Sequence, residues 1–268
     1  MKKLALIAIP ILVILALIVL AIVHTNILRT TRFTWQHRRV PSQFNGFRIV
    51  QLSDMHNARF GREQSRLIHA VEQARPNMIA LTGDFIDNYT RSLAPVQELL
   101  AGIAHLAPVY FVDGNHDPQS PFYDEFLALL AEYNITVLRG ATLLQHNGAT
   151  MTLAGLPFSG GVIEGSPDIL LAHSPLRFAQ FAQQGGGLML AGHVHGGQVA
   201  TPGGQAILAP LHGEEGLQFS FFPPYSSGVY VNGDATMFLS RGLGTSHLPL
   251  RLFATPEVAI IELKAEQE

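Results

Sequence analysis

From Phe47 onward, short apolar runs alternate with segments of helical spacing, and this alternation limits the folds that the chain can adopt. Strands are predicted at the runs FRIVQLSD, MIALTGD and VYFVDGNHD. Helices are predicted at REQSRLIHAVEQA, 92–105 and 122–133. Alternating strands and helices are typical of a parallel sheet with helices packed against it. The sequence therefore predicts the α/β fold class.

The second half of the chain adds strands of both orientations. Two apolar runs, ILLAHSP and LMLAGHVHGG, predict strands on either side of a helix at 176–184. Closer to the C-terminus, GVYVNGDATMFLSRG contains the Asn232-Gly233 turn signal of a β-hairpin, and EVAIIEL has the pattern of a further antiparallel strand. We therefore expect mixed β-sheets with helices on their outer faces.

A separate element precedes this domain. Residues 4–23 form an uncharged apolar run of 20 residues, and a helix of that length, at about 1.5 Å per residue, spans the roughly 30 Å hydrocarbon layer of a bilayer. We predict a transmembrane anchor at 1–23 and a tether at 24–46, with Trp35 placed at the membrane interface. Lys2 and Lys3 would also fit a cleaved signal peptide, but the apolar run exceeds the usual length of about 7 to 15 residues.

Charge after the anchor bears on its direction. Four arginines follow within the tether, at Arg29, Arg32, Arg38 and Arg39. Arginine in excess on one flank of a membrane helix favours the cytoplasmic side for that flank. The rule is weak when one large domain follows, so the sequence predicts a single-pass membrane protein and leaves open the side on which the domain lies.

Composition excludes several classes of function. The formal net charge is -3, and no long basic block follows the first forty residues, so we expect no nucleic-acid partner. The chain contains no cysteine, which excludes disulfides, thiolate metal ligands and thiol nucleophiles. It also lacks the G-x-S-x-G motif of serine hydrolases.

Potential metal ligands follow each of five predicted strands. They are Asp54 and His56 in SDMH, Asp84 in TGD, Asn115 and His116 in GNHD, His173 in AHSP, and His193 and His195 in GHVHGG. One aspartate after a strand is usually a turn residue or helix cap. Independent turns, however, have no reason to supply oxygen and imidazole groups at five strand ends, and the carboxyl ends of parallel strands converge on one crevice. The pattern therefore predicts a metal site.

The ligand types indicate both the metal and the chemistry. Imidazole combined with carboxylate and amide oxygen suits divalent Mn, Fe or Zn. The candidate ligands are too many for one ion. Two divalent metal ions, bridged by a carboxylate and a hydroxide, would use the whole set and favour in-line displacement at phosphorus. The pattern thus indicates hydrolysis of a phosphoester.

The five blocks, in this order, resemble those of the calcineurin-like metallophosphoesterases. Three further stretches, DMHNARFG, GHVHGGQ and SRGLGTSHLPLRLFATPEVAIIEL, resemble the membrane-anchored YkuE-like and YaeI-like subgroup. The resemblance implies a four-layer αββα sandwich with two mixed β-sheets, formed by a phosphoesterase domain at 47–268. It also implies a phosphodiesterase or phosphatase in which a metal-bridging hydroxide attacks phosphorus.

The resemblance further implies a role for each candidate residue. Asp54, His56 and His195 would bind the first metal ion, and Asn115, His173 and His193 the second. Asp84 would bridge the two ions. His116 would be catalytic, because it would contact the phosphate and stabilise the transition state or protonate the leaving oxygen.

One departure from the subgroup bears on the substrate. The segment before the fourth block, 154–168, is shorter than is usual in the subgroup. Together with the anchor, the resemblance makes a membrane-associated or lipid-linked phosphoester, or a nucleotide pyrophosphate, the expected substrate. Two alternatives remain at this stage: hydrolysis of another bond at the same dinuclear site, such as a cell-wall amide, and a metal-binding module without catalysis.

Overall fold

Two six-stranded sheets packed face to face form the centre of the computed structural model, which describes residues 2–163, 165–213, 216–246 and 248–266. The first sheet has the order β1 (Arg29–His37), β15 (Glu257–Ala265), β2 (Arg48–Leu52), β3 (Met78–Leu81), β4 (Val109–Phe111), β5 (Thr136–Val137). The second has the order β13 (Gly228–Asn232), β14 (Ala235–Leu239), β9 (Leu188–Ala191), β8 (Ile169–Ala172), β7 (Ala149–Leu156), β6 (Ala141–His146). Both sheets are mixed, since each contains parallel and antiparallel pairs.

Four helices cover the outer faces of the two sheets: α2 (Ser65–Ala74), α3 (Ala94–Ile103), α4 (Tyr123–Glu132) and α5 (Phe178–Gln183). They are preceded in the chain by α1 (Lys2–Asn26). Helices α2, α3 and α4 pack on the first sheet through a core that includes Leu67, Leu99 and Phe126. On the far side, Phe178 and Phe181 of α5 pack on the second sheet. The expected four-layer αββα sandwich is confirmed.

Alternation along the strands builds the layers between these helices. In β2, Val50 faces the helical core, whereas its neighbour Ile49 lies in the core between the two sheets. In β8, Leu171 lies between the sheets and Leu170 faces α5. Successive side chains of a strand point to opposite faces. Each of these short apolar runs therefore contributes side chains to two hydrophobic cores, one on each face of its sheet. That explains why β8, ILLA, has no polar position.

The segment at 24–46, predicted as a tether, belongs largely to the folded domain. Strand β1 pairs in parallel with β15 over its whole length, from Arg29 opposite Glu257 to His37 opposite Ala265. Trp35, predicted at the membrane interface, is 2% exposed in the core between the sheets. The partner strand β15 lies at the other end of the sequence, which is why a local pattern does not reveal this pairing.

Helix α1 stands apart from both sheets. Its residues Ile9–Asn26 form a helix long and apolar enough to cross a membrane. Its side chains from residue 9 onward are mostly exposed. The predicted N-terminal apolar helix is therefore present, and it leads into β1 after two residues.

A small third sheet lies beside the sandwich. It contains β10 (Val199–Ala200), β11 (Ala206–Gly213) and β12 (Gly216–Phe221), all antiparallel. These strands, like the β6–β7 hairpin, are absent from the sequence-based prediction. Strand β10 follows directly from the turn that carries His193 and His195, so the third sheet is attached to the candidate site.

Candidate metal centre

The eight residues predicted from the sequence all lie in buried turns at the ends of strands. In chain order they are Asp54 and His56 after β2, Asp84 after β3, Asn115 and His116 after β4, His173 after β8, and His193 and His195 after β9. The turns of the two sheets meet at one end of the sandwich. There, His173 Nε2 of the second sheet lies 3.0 Å from Asp84 Oδ2 of the first.

One group of side chains gathers Asp54, His56 and His195. One potential ligand atom from each lies within 4.8 Å of the other two. His195 Nε2 is 3.6 Å from Asp54 Oδ1, and the rings of His56 and His195 are 5.0 Å apart between centroids. We call these three residues the first cluster.

A second group gathers Asp84, His173 and His193, again with one potential ligand atom from each within 4.8 Å of the others. His193 Nδ1 is 3.2 Å from His173 Nε2. Asp84 also faces the other group, because its Oδ2 lies 3.8 Å from His56 Nε2. The second cluster and the first are therefore adjacent, with the Asp84 carboxylate between them.

The turn after β4 supplies the remaining two residues. The backbone N–H of His116 donates to Asp84 Oδ1 at 2.8 Å, and the rings of His116 and His56 are 5.1 Å apart, edge to face. Asn115 precedes His116 in the same turn and is 6% exposed. Both residues thus lie next to the carboxylate that joins the two clusters.

The chemistry of these groups fits divalent cations. His56 Nε2 and both amide atoms of Asn115 are buried and form no hydrogen bond within the described part of the chain, and such atoms are costly unless they bind something. Burial lowers the pKa of His173, but the carboxylates of Asp84 and Asp54 outweigh it and raise that pKa to about 10. The pocket therefore holds negative charge that attracts cations, and a metal ion competes with a proton for the same nitrogen.

Backbone conformation gives independent support for a functional site. Five of the seven candidate ligands have a positive φ: Asp54 (51°), His56 (43°), Asp84 (56°), His193 (79°) and His195 (52°). A non-glycine residue in the left-handed region costs about 1 kcal/mol or more, and such residues cluster at active sites. The turns are thus bent at a cost in stability so that their side chains converge.

Two glycines allow the turns to approach one another. A Cβ on Gly192 would lie 2.0 Å from Ser53 Oγ and 2.4 Å from Asp54 Oδ2. A Cβ on Gly114 would lie 2.1 Å from Asp84 Oδ1. These distances are far below contact, so a side chain at either position would displace a candidate ligand.

Partners outside the two clusters fix the rings of the histidines. Asp87 Oδ2 lies 3.0 Å from His56 Nδ1, and the backbone carbonyl of Thr82 lies 2.7 Å from His173 Nδ1. In both cases Nδ1 of the neutral ring can donate a hydrogen bond to this oxygen. The lone pair on Nε2 is then available on the side of the ring that faces the cluster. Histidine ligands of metals are commonly oriented in this way.

Asp117 was not predicted from the sequence, although it is the last residue of GNHD. Its carboxylate accepts hydrogen bonds from four backbone N–H groups, those of Asp84, Phe85, Ile86 and Gly114. Burial and the nearby Asp84 carboxylate raise its pKa to about 7, against these four donors. Asp117 thereby ties the turn after β3 to the turn after β4.

Arg251 was also missed, and no local pattern marks it. Its side chain is fully buried and donates to backbone carbonyls of His195, Gly244, Arg241 and Ala254. Its Nη2 lies 3.2 Å from His195 Nδ1. Burial, then the charges of His56 and Arg251, lower the pKa of His195 well below its usual range, so the ring stays neutral, as a metal ligand must.

Comparison with known proteins gives matches that are named as phosphoesterases or phosphodiesterases. The calcineurin-like phosphoesterase family model matches residues 47–197. The metallophosphoesterase YkuE of Bacillus subtilis is 28% identical over 263 residues, which cover 90% of this chain and 87% of that protein. Phosphodiesterase YaeI of Escherichia coli is 28% identical over 237 residues, covering 81% and 82% of the two chains.

Two further matches are more partial. A transmembrane protein with a metallophosphoesterase domain from Danio rerio is 28% identical over 255 residues, which cover 84% of this chain and 55% of that protein. Among solved structures, TT1561 of Thermus thermophilus aligns with a TM-score of 0.45 at 12% identity, covering 74% of this chain and 90% of that one.

Proposed function

Because this chain belongs to the calcineurin-like phosphoesterase family, we propose that it is a dinuclear-metal phosphodiesterase that acts on phosphoesters at a membrane surface. The observation that carries the proposal is the pair of adjacent clusters, each of three candidate ligands, with the Asp84 carboxylate between them. A lone cation site would need only one of these clusters.

Each cluster is assigned one ion. Asp54, His56 and His195 would hold the first, and His173, His193 and the Asn115 amide oxygen the second. Asp84 would be shared by both. The mixed imidazole and oxygen set favours Mn, Fe or Zn over Ca or Mg, and when bound, such a pair of ions activates water and neutralises the charge of the reacting phosphate.

His116 has a different role in this proposal. Its backbone is fixed by the hydrogen bond to Asp84, and its ring lies beside the first cluster rather than in either set of three. We assign it to the phosphate, where it would stabilise developing charge or give a proton to the leaving oxygen.

Groups outside the two clusters hold the candidate ligands in the orientation needed to bind metal. The Asp87 carboxylate and the Thr82 carbonyl each lie against Nδ1 of a histidine, which presents the opposite nitrogen to the cluster. Asp117 holds the backbone on which Asp84 is mounted. These contacts pre-organise the site, so little reorganisation is needed when substrate binds.

The membrane part of the proposal rests on α1. Its apolar length is sufficient for a span, and one relative is named as a transmembrane protein with this type of domain. Another relative is named a phosphodiesterase. A phosphoester carried by a lipid, or a nucleotide pyrophosphate presented at the membrane, would be accessible to a domain anchored in this way.

Metal removal tests the catalytic proposal. Purified full-length protein in detergent is treated with a chelator, and hydrolysis of bis(p-nitrophenyl) phosphate is followed before and after Mn is added back. We expect activity to be lost and then restored, because water is deprotonated at neutral pH only when a metal ion binds it. Full activity in the metal-free protein would rule out the dinuclear mechanism.

A substrate panel then defines the class of bond. The Mn-loaded enzyme is assayed on monoesters, diesters, nucleotide pyrophosphates, phospholipids and a cell-wall peptide amide. We expect turnover of phosphorus substrates and none of the amide. Turnover of the amide alone would assign the site to a different hydrolase.

Alkaline carbonate washing tests the anchor. About twenty buried apolar residues hold a helix in the bilayer independently of charge, so the full chain should stay with the membrane fraction. Release into the soluble fraction with an N-terminus near Ile22 would identify residues 1–21 as a cleaved signal.

A further inference from the structure

The end of α1 is bonded directly to the domain. His24 Nδ1 accepts a hydrogen bond from the backbone N–H of Phe253 at 2.9 Å, and Thr25 Oγ1 accepts one from Arg251 N at 2.8 Å. Arg66 Nη2 donates to the carbonyl of Asn26 at 2.9 Å. The domain therefore sits on the last turn of the helix without a flexible spacer.

The third sheet continues from this junction. Phe253 forms a β-bridge to Val199 of β10, Val199 pairs with Leu208 of β11, and Leu208 pairs with Phe221 of β12. Strands lie about 4.8 Å apart, so Phe221 is roughly 14 Å from Phe253 across three spacings. The row formed by these four residues thus leads from the helix end to the outer strand.

Directly paired residues share a face of a sheet, so the side chains of Leu208 and Phe221 lie on one face, and Val199 and Phe253 join this row through an irregular pair and an isolated bridge. The ring of Phe253 lies 4.9 Å from the ring of His24 in α1. The row that carries Phe221 therefore contacts the end of α1 through Phe253. Ala209, next to Leu208 and on the opposite face, is fully buried.

The outer end of the row is apolar and open to solvent. Phe221 is 71% exposed and the following Phe222 is 62% exposed. Two adjacent, largely exposed phenylalanines are unusual on a soluble surface and mark a contact with a partner or a membrane. Phe222 lies beyond the end of β12 and has a φ of 50°, so the alternation of the strand stops at Phe221. We call Val199, Leu208, Phe221 and Phe253, together with the adjoining Phe222, the apolar platform.

The platform also leads to the metal centre. Phe222 is followed by Pro223, Pro224 and Tyr225, which line an apolar cleft together with Leu176 and His193. His193 belongs to the second cluster. The chain therefore runs directly from the exposed platform to a cleft that is lined in part by a candidate metal ligand.

We propose that the apolar platform rests on the bilayer that α1 spans, so that the metal centre, which the segment after Phe222 adjoins at His193, is held next to the phosphoesters of that bilayer. This inference rests on the proposed function, since it takes α1 as a membrane anchor. If residues 4–23 fill the hydrocarbon layer, His24 and Thr25 lie at headgroup level, and the segment bonded to them lies there too.

Continuity favours lipid over a protein partner as the occupant. The platform is joined to the helix end by the Phe253–His24 contact and by hydrogen bonds between Leu252 and both Gln198 and Ala200. No linker separates the two. Any surface at the level of the last turn of α1 meets the headgroup region, where aromatic rings are favoured.

Site-directed spin labelling tests the contact, because the chain contains no cysteine and a single introduced cysteine is the only labelling site. Phe222→Cys, Ile22→Cys and Leu143→Cys are labelled in the full-length protein and reconstituted into phosphatidylcholine–phosphatidylglycerol vesicles. Leu143 is a matched exposed apolar residue, 59% exposed, on β6 of the second sheet.

We expect the labels at 22 and 222 to collide more often with oxygen than with a water-soluble nickel chelate, and the label at 143 to show the reverse. A label at 222 as accessible to nickel as that at 143, with 22 still in lipid, would overturn the platform and leave the anchor intact. Nickel access at 22 would overturn the anchor, and the platform with it.

An activity measurement provides the second arm. The double variant Phe221→Ser/Phe222→Ser is compared with Leu143→Ser on a phosphoester lipid in vesicles and on bis(p-nitrophenyl) phosphate in solution. Loss of two aromatic contacts with lipid should lower the vesicle rate roughly tenfold and leave the solution rate unchanged. Equal losses on both substrates, or none on either, would contradict the platform, whereas metal dependence in solution tests the proposed function separately.

Discussion

The two clusters of the metal centre have similar ligands but are held in place by different means. In the first, the histidine rings contact charged side chains: Asp87 against His56, and Arg251 against His195. In the second, His173 contacts the backbone carbonyl of Thr82, and the ring of Phe158 packs against it and against His193. Side-chain charge supports one cluster, and backbone and packing support the other.

This difference carries over to the charge at each ligand. The cationic Arg251 contributes to a pKa for His195 well below its usual range. His173, which faces the carboxylates of Asp84 and Asp54, has its pKa raised to about 10. His56 of the first cluster also has a raised pKa, because the carboxylates of Asp87, Asp84 and Asp54 outweigh its burial, so carboxylate charge that attracts a cation is present at both clusters.

The contrast shows how such a centre can be tuned. A substitution of one side chain can alter the support of His56 or His195 without touching a ligand. The support of His173 is a main-chain atom at the end of β3, so it changes only if the sheet moves. The histidines of the first cluster thus depend on charged side chains, whereas His173 of the second depends on the main chain together with the ring of Phe158.

Substitution of Asp84 should affect both clusters and give the largest loss of metal binding and activity. Asp84→Asn keeps the shape of the side chain but removes the charge shared by the two groups. We expect both metal ions to be lost on dialysis and kcat to fall by about 10⁴-fold or more, as for a central catalytic group. Metal analysis and hydrolysis of bis(p-nitrophenyl) phosphate measure the two effects.

The matched control for Asp84 is Asp234→Asn, an exposed carboxylate paired with Arg38 at the surface. It should keep both ions and its activity. If Asp84→Asn instead kept one ion tightly bound, Asp84 would belong to a single cluster, and the bridging assignment would fail.

Substitution of His116 should lower the catalytic rate without lowering the metal content. Removing a positioned acid or charge stabiliser costs about 10² to 10⁴ in rate, so His116→Gln should lose that much in kcat while metal content stays at the wild-type level. The loss should be smaller for a nitrophenyl ester, whose leaving group needs no proton. His146→Gln, a histidine that packs on Phe44 and Phe47, serves as the control.

A His116→Gln variant that loses an ion would move His116 into the ligand set. Full activity on every ester would exclude it from the mechanism. Both measurements use the same protein preparation, so the two outcomes are distinguishable.

The strand-end residues of this site could be predicted from the sequence, and the supports of the first cluster could not. Asp54, Asp84 and His173 each follow an apolar run, and parallel strands bring such positions together. Arg251 follows no strand, and its partners are carbonyls and a ring nitrogen from several separate segments. Its function depends on tertiary contacts that have no local sequence signature.

The same reasoning explains the error at the N-terminal segment. Strand β1, RTTRFTWQH, is an edge strand with mostly exposed residues, so it lacks the apolar run that marks β2 or β3. It pairs with β15, which lies more than 200 positions away in sequence. The buried Trp35 is the one residue that indicated a place in the core, and the apolar helix before it favoured the membrane interface instead.

Substitution of Asp87 should weaken metal binding at the first cluster only, because Asp87 contacts His56. Asp87→Asn removes the charge that faces His56 and keeps the shape of the side chain. Loss of such an outer partner typically weakens metal binding by about 10- to 100-fold. Titration of the metal-free protein with Mn, followed by calorimetry or electron paramagnetic resonance, should show one weakened site and one unchanged site.

The control for Asp87 is Asp113→Asn, a buried carboxylate that binds Tyr123 and Arg139 instead of a ligand. Its two Mn affinities should match the wild type. Equal weakening of both sites by Asp87→Asn would show that the clusters are not independently supported.

Substitution of Phe158 should give the smallest loss of Mn affinity, and this loss should occur at the second cluster. Its ring lies 5.9 Å from that of His173 and 5.5 Å from that of His193. Phe158→Leu keeps an apolar side chain but removes these aromatic contacts. They are worth about 0.5–1.5 kcal/mol, so Mn binding at the second cluster should weaken by about tenfold at most.

The comparison variant for Phe158 is Phe33→Leu, which replaces a half-buried ring that packs on Phe238. It should leave both Mn affinities unchanged. Because the ring of Phe158 packs on the two histidines of the second cluster, its substitution should leave Mn binding at the first cluster unchanged. If Phe158→Leu weakened the same site as Asp87→Asn, the two clusters would share their supports, and the division between a charge-held and a backbone-held half would be wrong.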